Sequence, residues 1–443
     1  MAGNFGRSDW TGTLAVFSYW PGTDSDSDWH RALKANMLLD QSAVVQKGDV
    51  AINEAMTSDV VPLAAPQFTS EDRERVAAVL RGSQIAYGPA SKEFERAVAS
   101  RLDLDHAHAV VSGTAALHLA LLAVGVEPGD LVLMPSLTFV APAHAASYLG
   151  AVPRFFDSEP DYMQLDVSGL LTWIEHECRP DGEGAVRTAK GERIGAIVSV
   201  DLLGQLCDIE ALADRVGPMG IPVIEDAAQA LGATLRGEEA GTHADITCLS
   251  FNANKIVTSA GGGMLLSNDR KKIETVQLLA NQAKADPRYY VHDAVGFNYR
   301  LPSTQGALGL AQFQRIDDLI ERKHLVARSY RAALSDVPGL SFTRCAPQAT
   351  ETNWLFTVHI DAERFGCTAH QLMDLLEERH RVQTRPIFTP LHAAGVYAGQ
   401  DAVDCPVAER LAATGLSLPS SVGISEEELD RVCEAIRSEA SER

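Results

Sequence analysis

The stretch that decides the fold is residues 194–229, which read IGAIVSVDLLGQLCDIEALADRVGPMGIPVIEDAAQ. The apolar runs 194–200 and 222–224 have the length and composition of buried strands, and residues 208–216 between them have the spacing of a helix. Short buried strands joined through helices predict a mainly parallel sheet that is covered on both faces. Ligands bind such sheets at the carboxyl ends of the strands, so the residues that follow each strand are the expected place for chemistry.

The same alternation extends to both sides and predicts how the chain is organised. Residues 61–315 are expected to form a large α/β domain, and residues 316–443 a smaller α+β domain that begins with a polar helix. Residues 1–60 include the polar run TDSDSD and are expected to be an extension outside the fold. The further predicted strands of the large domain are 109–111, 131–134, 152–156, 246–251 and 263–266.

Composition and charge exclude several classes of function. The chain has 443 residues, of which 46% are hydrophobic and 22% charged, as in an ordinary globular enzyme. Its 38 basic and 59 acidic side chains give a net charge of −21, which disfavours binding to nucleic acids and anionic membranes. No apolar run approaches the ~18 residues of a membrane span. The seven scattered cysteines form no Cys-x-x-Cys pair, so we expect a cytoplasmic protein without a metal site.

Residues 112–116, SGTAA, follow a predicted strand and open a predicted helix. The free backbone N–H groups of Gly113, Thr114 and Ala115, together with the Thr114 hydroxyl and the helix dipole, would suit a phosphate group. An ordinary capped helix would have the same sequence, so this motif alone leaves both interpretations open.

Two further motifs supply a buried acid and a lysine. Asp226 ends an apolar strand, where a carboxylate is costly without a cationic partner such as a protonated pyridine nitrogen. Lys255 ends the run SFNANK, which begins at Ser250 and is followed by the Gly-rich run SAGGG at 259–263. A partly desolvated lysine can form a Schiff base, and Ser250 could donate to a phosphate. The alternatives are a helix-capping aspartate and a solvated lysine.

The fourth motif is GFNYR at residues 296–300, where Asn298 and Arg300 could contact an anion or merely satisfy loop backbone. Each motif is weak by itself. Together they place a phosphate site, an acid for a ring nitrogen and a lysine at strand ends, in that order along the chain.

These motifs give the chain a family resemblance. The segments SGTAAL, VIEDAAQ, SFNANK and GFNYRL, within a region from about residue 62 to the C-terminus, resemble the DegT/StrS-type sugar aminotransferases. The resemblance implies fold type I of the pyridoxal-phosphate-dependent enzymes and a homodimer with active sites at the interface. It also implies transfer of an amino group from L-glutamate to a keto sugar, in many relatives nucleotide-linked, for a glycan or an antibiotic.

The resemblance also assigns roles to individual residues. Lys255 would carry the cofactor as a Schiff base and move the proton between substrate and cofactor, while Asp226 would pair with the pyridine nitrogen. The other implied cofactor contacts are Gly113, Thr114, Ala115 and Ser250 at the phosphate, Phe139 on the ring face, Gln229 near the ring hydroxyl and Asn298 at the phosphate of the neighbouring subunit.

Substrate contacts are expected from Asn254, Arg385 and His392. A guanidinium suits a nucleotide diphosphate or a carboxylate. The alternatives are a structural ion pair for Arg385 and a satisfied loop histidine for His392.

Two departures from the family pattern bear on the substrate. Many members have Gly-Glu-Gly-Gly after the lysine, whereas this chain has Ala260-Gly261-Gly262-Gly263, so that glutamate is absent; Asp201 stands where many have histidine. The Asn-x-Asn-Lys form resembles the branch that aminates precursors of nonulosonic acids and other higher-carbon sugars. Alternative outcomes are a sugar deoxygenase, in which histidine replaces the lysine, and an amino-cyclitol aminotransferase. A non-catalytic regulator that retains the fold is the alternative from another class.

Overall fold

The computed structural model describes residues 59–182, 184–286, 288–393, 395–400 and 402–441. The predicted N-terminal extension, residues 1–60, lies outside this range apart from its last two residues. Residues Asp59–Arg443 belong to one folded unit. The division of that unit into domains 61–315 and 316–443 stays a prediction.

A seven-stranded sheet forms the centre of the fold. Its strand order is β1-β11-β10-β7-β6-β2-β3, and the five strands from β10 to β3 are parallel, whereas β11 runs antiparallel to both of its neighbours. The predicted mainly parallel sheet is therefore confirmed. In chain order these strands and the short ones between them are β1 His106–Val110, β2 Leu131–Pro135, β3 Val152–Phe156, β4 Cys178–Pro180, β5 Val186–Thr188, β6 Ile194–Val200, β7 Val223–Asp226, β8 Thr234–Leu235, β9 Glu238–Glu239, β10 Ile246–Ser250 and β11 Gly263–Ser267.

A second, antiparallel sheet forms from the C-terminal part of the chain in the order β14-β16-β18-β17. The remaining strands are β12 Lys284–Asp286, β13 Val291–His292, β14 Leu340–Phe342, β15 Ala349–Thr350, β16 Phe356–Ile360, β17 Arg385–Pro386 and β18 Gly415–Leu418. A separate apolar core lies between this sheet and the helices that contain Tyr330 and Leu372.

Helices cover the central sheet. Every residue of β6 is buried, because apolar clusters lie on both faces of the sheet. The helices are α1 Ser70–Arg81, α2 Pro89–Arg101, α3 Gly113–Ala123, α4 Ala141–Tyr148, α5 Val167–Glu177, α6 Ile209–Val216, α7 Arg270–Ala280, α8 Ser303–Phe313, α9 Ile316–Leu334, α10 Ala362–Phe365, α11 Ala369–His380, α12 Pro406–Thr414 and α13 Glu426–Ser441.

Local sequence explains where several helices begin. Thr69 and Asp72 form a reciprocal capping box at the start of α1, and Asp208 accepts a hydrogen bond from the backbone N–H of Ala211 at the start of α6. Among the described helices, none combines the length and apolar character that crossing a bilayer requires.

Candidate active site

The predicted site residues follow the strands of the central sheet. Asp226 is the last residue of β7, Ser250 is the last residue of β10, and Lys255 lies five residues further on. The two strands are parallel neighbours, with Cys248 paired to Asp226. The fold therefore brings the acid and the lysine-bearing loop to the same edge of the sheet, as the sequence predicts.

The helix start at Gly113 meets that same edge. The side chain of Ser112 caps α3 by accepting a hydrogen bond of 3.1 Å from the backbone N–H of Ala115, so the phosphate role predicted for that N–H competes with the cap. The N–H groups of Gly113 and Thr114 precede the first intrahelical bond and have no acceptor within the helix.

The Gly-rich run packs directly on this helix start. A Cβ atom on Gly263 would lie 2.4 Å from the carbonyl oxygen of Ser112, so only glycine fits there. A Cβ atom on Gly113 would lie 3.0 Å from Cβ of Ser250 and 3.3 Å from its Oγ. The Ser250 hydroxyl and the free N–H groups thus converge on one small region that suits an anion.

Asp226 is a buried acid with one hydrogen-bond donor. Its side chain is 6% exposed, and its Oδ1 accepts a bond of 3.1 Å from the backbone N–H of Ala228. Within the described residues the other oxygen, Oδ2, receives no hydrogen bond. Burial raises the pKa of Asp226 to about 6, while the Ala228 N–H and the charge of Lys255 lower it. The free oxygen is available to a cationic group.

Lys255 is partly buried, and its amine has no oxygen acceptor in the described part of the chain. Burial lowers the pKa of Lys255 to about 8, and the carboxylate of Asp226 acts in the opposite direction. Its Nζ lies 3.8 Å from the centre of the Trp354 ring. An amine of this basicity is partly unprotonated near neutral pH, which nucleophilic attack requires.

The structure gives the other predicted cofactor residues different surroundings. The side chain of Gln229 is buried, and its Oε1 accepts a bond of 2.9 Å from the backbone N–H of Leu203. Phe139 is 53% exposed, with its ring centre 5.7 Å from that of Phe388. Asn298 lies exposed on the loop before α8. The side chains of Phe139 and Asn298 are therefore accessible to a ligand or to a neighbouring chain.

The three predicted substrate residues differ in exposure and in hydrogen-bond partners. Arg385 is exposed, and its guanidinium donates to the backbone carbonyl of Thr384. Asn254 is also exposed. The ring nitrogens of His392, in contrast, both have partners: Nδ1 lies 2.6 Å from Oγ of Ser136, and Nε2 lies 3.1 Å from Glu409. The contacts of His392 favour the satisfied loop histidine over substrate contact.

Sequence reasoning missed two residues of this region. Trp354 covers the lysine, and Lys323 on α9 donates a hydrogen bond of 2.7 Å to the Trp354 carbonyl. Both residues are distant from Lys255 in the sequence and belong to the C-terminal part of the chain. The only signal for Trp354 was an indole at the start of the apolar run 354–360. The signal for Lys323 was a lysine on an otherwise apolar stripe of a polar helix.

A lysine amine, a buried carboxylate and an anion-binding helix start at the ends of parallel strands define the class of pyridoxal-phosphate-dependent enzymes. The family is specified by comparison of sequences: the chain belongs to the DegT/DnrJ/EryC1/StrS aminotransferase family, whose model matches residues 66–437. It is accordingly a pyridoxal-phosphate-dependent sugar aminotransferase.

Curated relatives agree with this assignment. The chain is 34% identical over 378 residues to GDP-perosamine synthase of Caulobacter vibrioides. The match covers 85% of this chain and 97% of that protein. It is 33% identical over 366 residues to the erythromycin biosynthesis sensory transduction protein EryC1 of Saccharopolyspora erythraea, and the match covers 82% of this chain and 93% of EryC1.

Solved structures confirm the fold-type I architecture. The aminotransferase TlmJ of Streptoalloteichus hindustanus matches with a TM-score of 0.77 at 27% identity, over 86% of this chain and 99% of TlmJ. The S. venezuelae protein DesV, solved with a ketimine intermediate, matches with a TM-score of 0.74 at 30% identity, over 84% and 94%. Helicobacter pylori PseC, at 23% identity, shares the fold, which leaves the predicted nonulosonic-acid branch untested.

Proposed function

We propose that Lys255 binds the cofactor covalently and that the enzyme transfers an amino group from L-glutamate to a nucleotide-linked keto sugar. One observation supports this most strongly: a partly buried amine of lowered pKa and a buried carboxylate with a free oxygen lie at adjacent strand ends. Transamination needs both groups, the amine to attack a carbonyl carbon and the carboxylate to keep a ring nitrogen protonated.

The residues present fit pyridoxal phosphate. The N–H groups of Gly113 and Thr114 and the hydroxyl of Ser250 form a donor set for the phosphate, as judged from the close approach of Gly113 to Ser250. Asp226 offers its second oxygen to the pyridinium nitrogen, and the exposed ring of Phe139 is available to the ring face. When bound, the pyridoxal ring withdraws electrons from the substrate carbon.

Lys255 has two tasks in this proposal. Its Nζ first attacks a carbonyl carbon as a free amine, which its lowered pKa allows. When its amine is not bonded to the cofactor, the same Nζ would act as the base that takes the proton from the substrate's α-carbon and as the acid that returns it on the cofactor side. Asp226 keeps the ring nitrogen protonated meanwhile. A lysine at this position, instead of histidine, favours transamination over deoxygenation.

The choice of a nucleotide-linked sugar rests on the relatives. GDP-perosamine synthases of Caulobacter vibrioides and Escherichia coli O157:H7 are 34% and 32% identical to the chain. DesI, at 29% identity and a TM-score of 0.77, was solved in the presence of its TDP-sugar product. We infer a nucleoside diphosphate carrier, whose phosphates the exposed guanidinium of Arg385 can bind.

We also propose a homodimer whose subunits complete each other's sites. A cavity of about 1150 Å³ lies beside Asn281, Arg300 and the segment 83–89. Tyr289, Tyr290, Val291 and Val295, nearby in the chain, are all exposed, and a group of exposed aromatic and apolar side chains is typical of an interaction surface. Asn298 belongs to the same exposed loop, so a second copy would receive it at its cofactor phosphate.

Hybrid dimers test this arrangement. Asn298→Ala and Lys255→Ala homodimers should both have low turnover, whereas mixing them creates one intact site in each hybrid dimer. We expect mixing under exchange conditions to restore about a quarter of wild-type turnover. Absence of any recovery, with exchange verified by mass, would contradict the shared site.

The absorbance spectrum tests the proposed reaction. Wild-type protein with pyridoxal phosphate should show a visible band that L-glutamate, but not L-glutamine, converts to the pyridoxamine form. Candidate GDP- and TDP-linked keto sugars should then restore the band and yield an amino sugar detectable by mass spectrometry. An amine donor other than glutamate, or a deoxygenated product, would contradict the proposal.

A further inference from the structure

Trp354 makes two separate contacts with the lysine-bearing loop. The face of its ring lies against the Lys255 amine, with Nζ 3.8 Å from the ring centre. Its indole N–H donates a hydrogen bond of 2.7 Å to the carbonyl oxygen of Asn254, the residue before the lysine. One side chain thus holds both the backbone beside Lys255 and the tip of the Lys255 side chain.

Trp354 is itself held in place from the other side. It is 4% exposed, and its backbone carbonyl accepts a hydrogen bond of 2.7 Å from Nζ of Lys323. Lys323 is 3% exposed and also donates to the carbonyl of Ser420. The indole therefore has a fixed position against Lys255, and its contact with the amine does not depend on an exposed, freely rotating side chain.

The charges near the amine make this contact significant. Asp226 acts on Lys255 from β7, and Lys323 on α9 lines the same cavity of about 20 Å³ as Lys255. Within the described residues no oxygen accepts a hydrogen bond from Nζ of Lys255. The Trp354 ring contacts the amine directly. An aromatic face attracts the protonated amine without a hydrogen bond, so loss of the proton leaves the lone pair of the nitrogen free for nucleophilic attack.

We propose that Trp354 is a positioning residue for Lys255, fixing the loop through its indole N–H and holding the free amine against its ring whenever the amine is not bonded to the cofactor. This inference rests on the proposed role of Lys255. It explains how a lysine that is released in every half-reaction stays in one place, which proton transfer at a defined carbon requires.

Cofactor-free protein provides a readout that does not depend on activity. Reductive methylation with formaldehyde and cyanoborohydride consumes unprotonated amines, and mass spectrometry of the peptide that carries Lys255 gives its rate at each pH. Trp354→Leu removes the aromatic face while keeping the site apolar, so the pH midpoint should fall by about one unit. Trp354→Phe retains an aromatic face and should leave the midpoint near that of the wild type.

A matched control separates this effect from the general loss of a tryptophan. Trp173 also has a cationic group over its ring, Arg154 with Cζ at 4.8 Å, but belongs to α5. Trp173→Leu should leave the Lys255 midpoint unchanged. Circular dichroism of each variant verifies that the compared proteins are folded.

The outcomes separate this inference from the function on which it rests. An unchanged or raised midpoint in Trp354→Leu, or equal shifts in Trp354→Leu and Trp354→Phe, would overturn the role of the ring. If Trp354→Leu does not fold, an altered midpoint in Trp354→Phe alone would also overturn it. A wild-type protein without a visible band in the presence of pyridoxal phosphate would instead overturn the proposed function.

Discussion

Two lysines, the buried Lys323 and the partly buried Lys255, line the same small cavity and differ in what their amines contact. Lys323 donates to the carbonyls of Trp354 and Ser420, whereas Lys255 lies against the Trp354 ring and has no oxygen acceptor in the described part of the chain. Burial lowers the pKa of both amines, to about 7 for Lys323 and about 8 for Lys255.

The comparison shows that burial alone does not make a lysine reactive. Both amines are partly unprotonated near neutral pH, yet the hydrogen bonds of Lys323 hold its Nζ between two carbonyls that would be left unsatisfied if it moved. Lys255 can leave its position without breaking such a bond. A lysine suited to covalent chemistry is therefore recognised by burial together with the absence of backbone acceptors.

Removal of the reactive amine should have the largest effect. Lys255→Ala loses both the nucleophile and the proton-transfer group, so we expect kcat to fall by about 10³-fold or more. Steady-state assays with glutamate and a keto sugar measure this. Lys272→Ala, which removes a lysine paired with Asp245 outside the site, is the matched control and should retain turnover. Normal turnover in Lys255→Ala would contradict the assignment.

Removal of the nearby acid should have the next largest effect. Asp226→Asn keeps the shape of the side chain but loses the charge that pairs with a ring nitrogen, so we expect kcat to fall by about 10²-fold. The same carboxylate raises the pKa of Lys255, so the methylation midpoint of Lys255 should also decrease in this variant. A midpoint equal to that of the wild type would show that the two groups do not interact.

Removal of the structural lysine should reduce stability more than chemistry. Lys323→Met leaves two buried carbonyls without their donor, which should lower the free energy of unfolding by about 2–4 kcal/mol. Urea unfolding followed by circular dichroism measures this change. The cofactor should still attach to Lys255 in the folded variant. A variant as stable as the wild type would indicate that the Lys323 contacts contribute nothing.

Asp201 is a buried acid outside the lysine pair, and we expect its substitution to have the smallest effect, a change in how stability depends on pH. Asp201 is fully buried beside Glu225; its Oδ1 accepts from the Cys207 N–H, and Oδ2 has no partner in the described residues. Burial, with Glu225 nearby, raises its pKa well above the ordinary value. Because the folded pKa exceeds the unfolded one, the contribution of Asp201 to stability is greatest at low pH and decreases as pH rises through the folded pKa.

Asp201→Asn removes this titration and supplies an amide donor. Between pH 5 and pH 8 the wild type should lose more stability than the variant, as measured by urea unfolding at the two pH values. Equal losses would place the pH dependence elsewhere in the molecule.

The sequence was sufficient for the sheet and for the residues at its edge. The runs at 152–156 and 194–200 coincide with β3 and β6, because a short apolar run between turns is typical of a buried strand. Asp226, Ser250 and Lys255 could be predicted because strand ends of a parallel sheet meet at one edge, which is a property of the fold class.

Contacts between distant elements could not be predicted in this way. The indole of Trp354 reaches Asn254, a residue 100 positions away, through packing that no local pattern encodes. The contacts of His392 with Ser136 and Glu409 likewise depend on the tertiary structure. The role of Asn298 depends on a second chain and therefore stays a prediction.

Borohydride trapping tests the central claim most directly. Protein reconstituted with pyridoxal phosphate is reduced, digested and analysed by mass spectrometry to locate the pyridoxyl group. The account predicts one labelled peptide with the modification on Lys255, unlabelled Lys323, and loss of the label in Lys255→Ala. Label on Lys323, or on neither lysine, would contradict it.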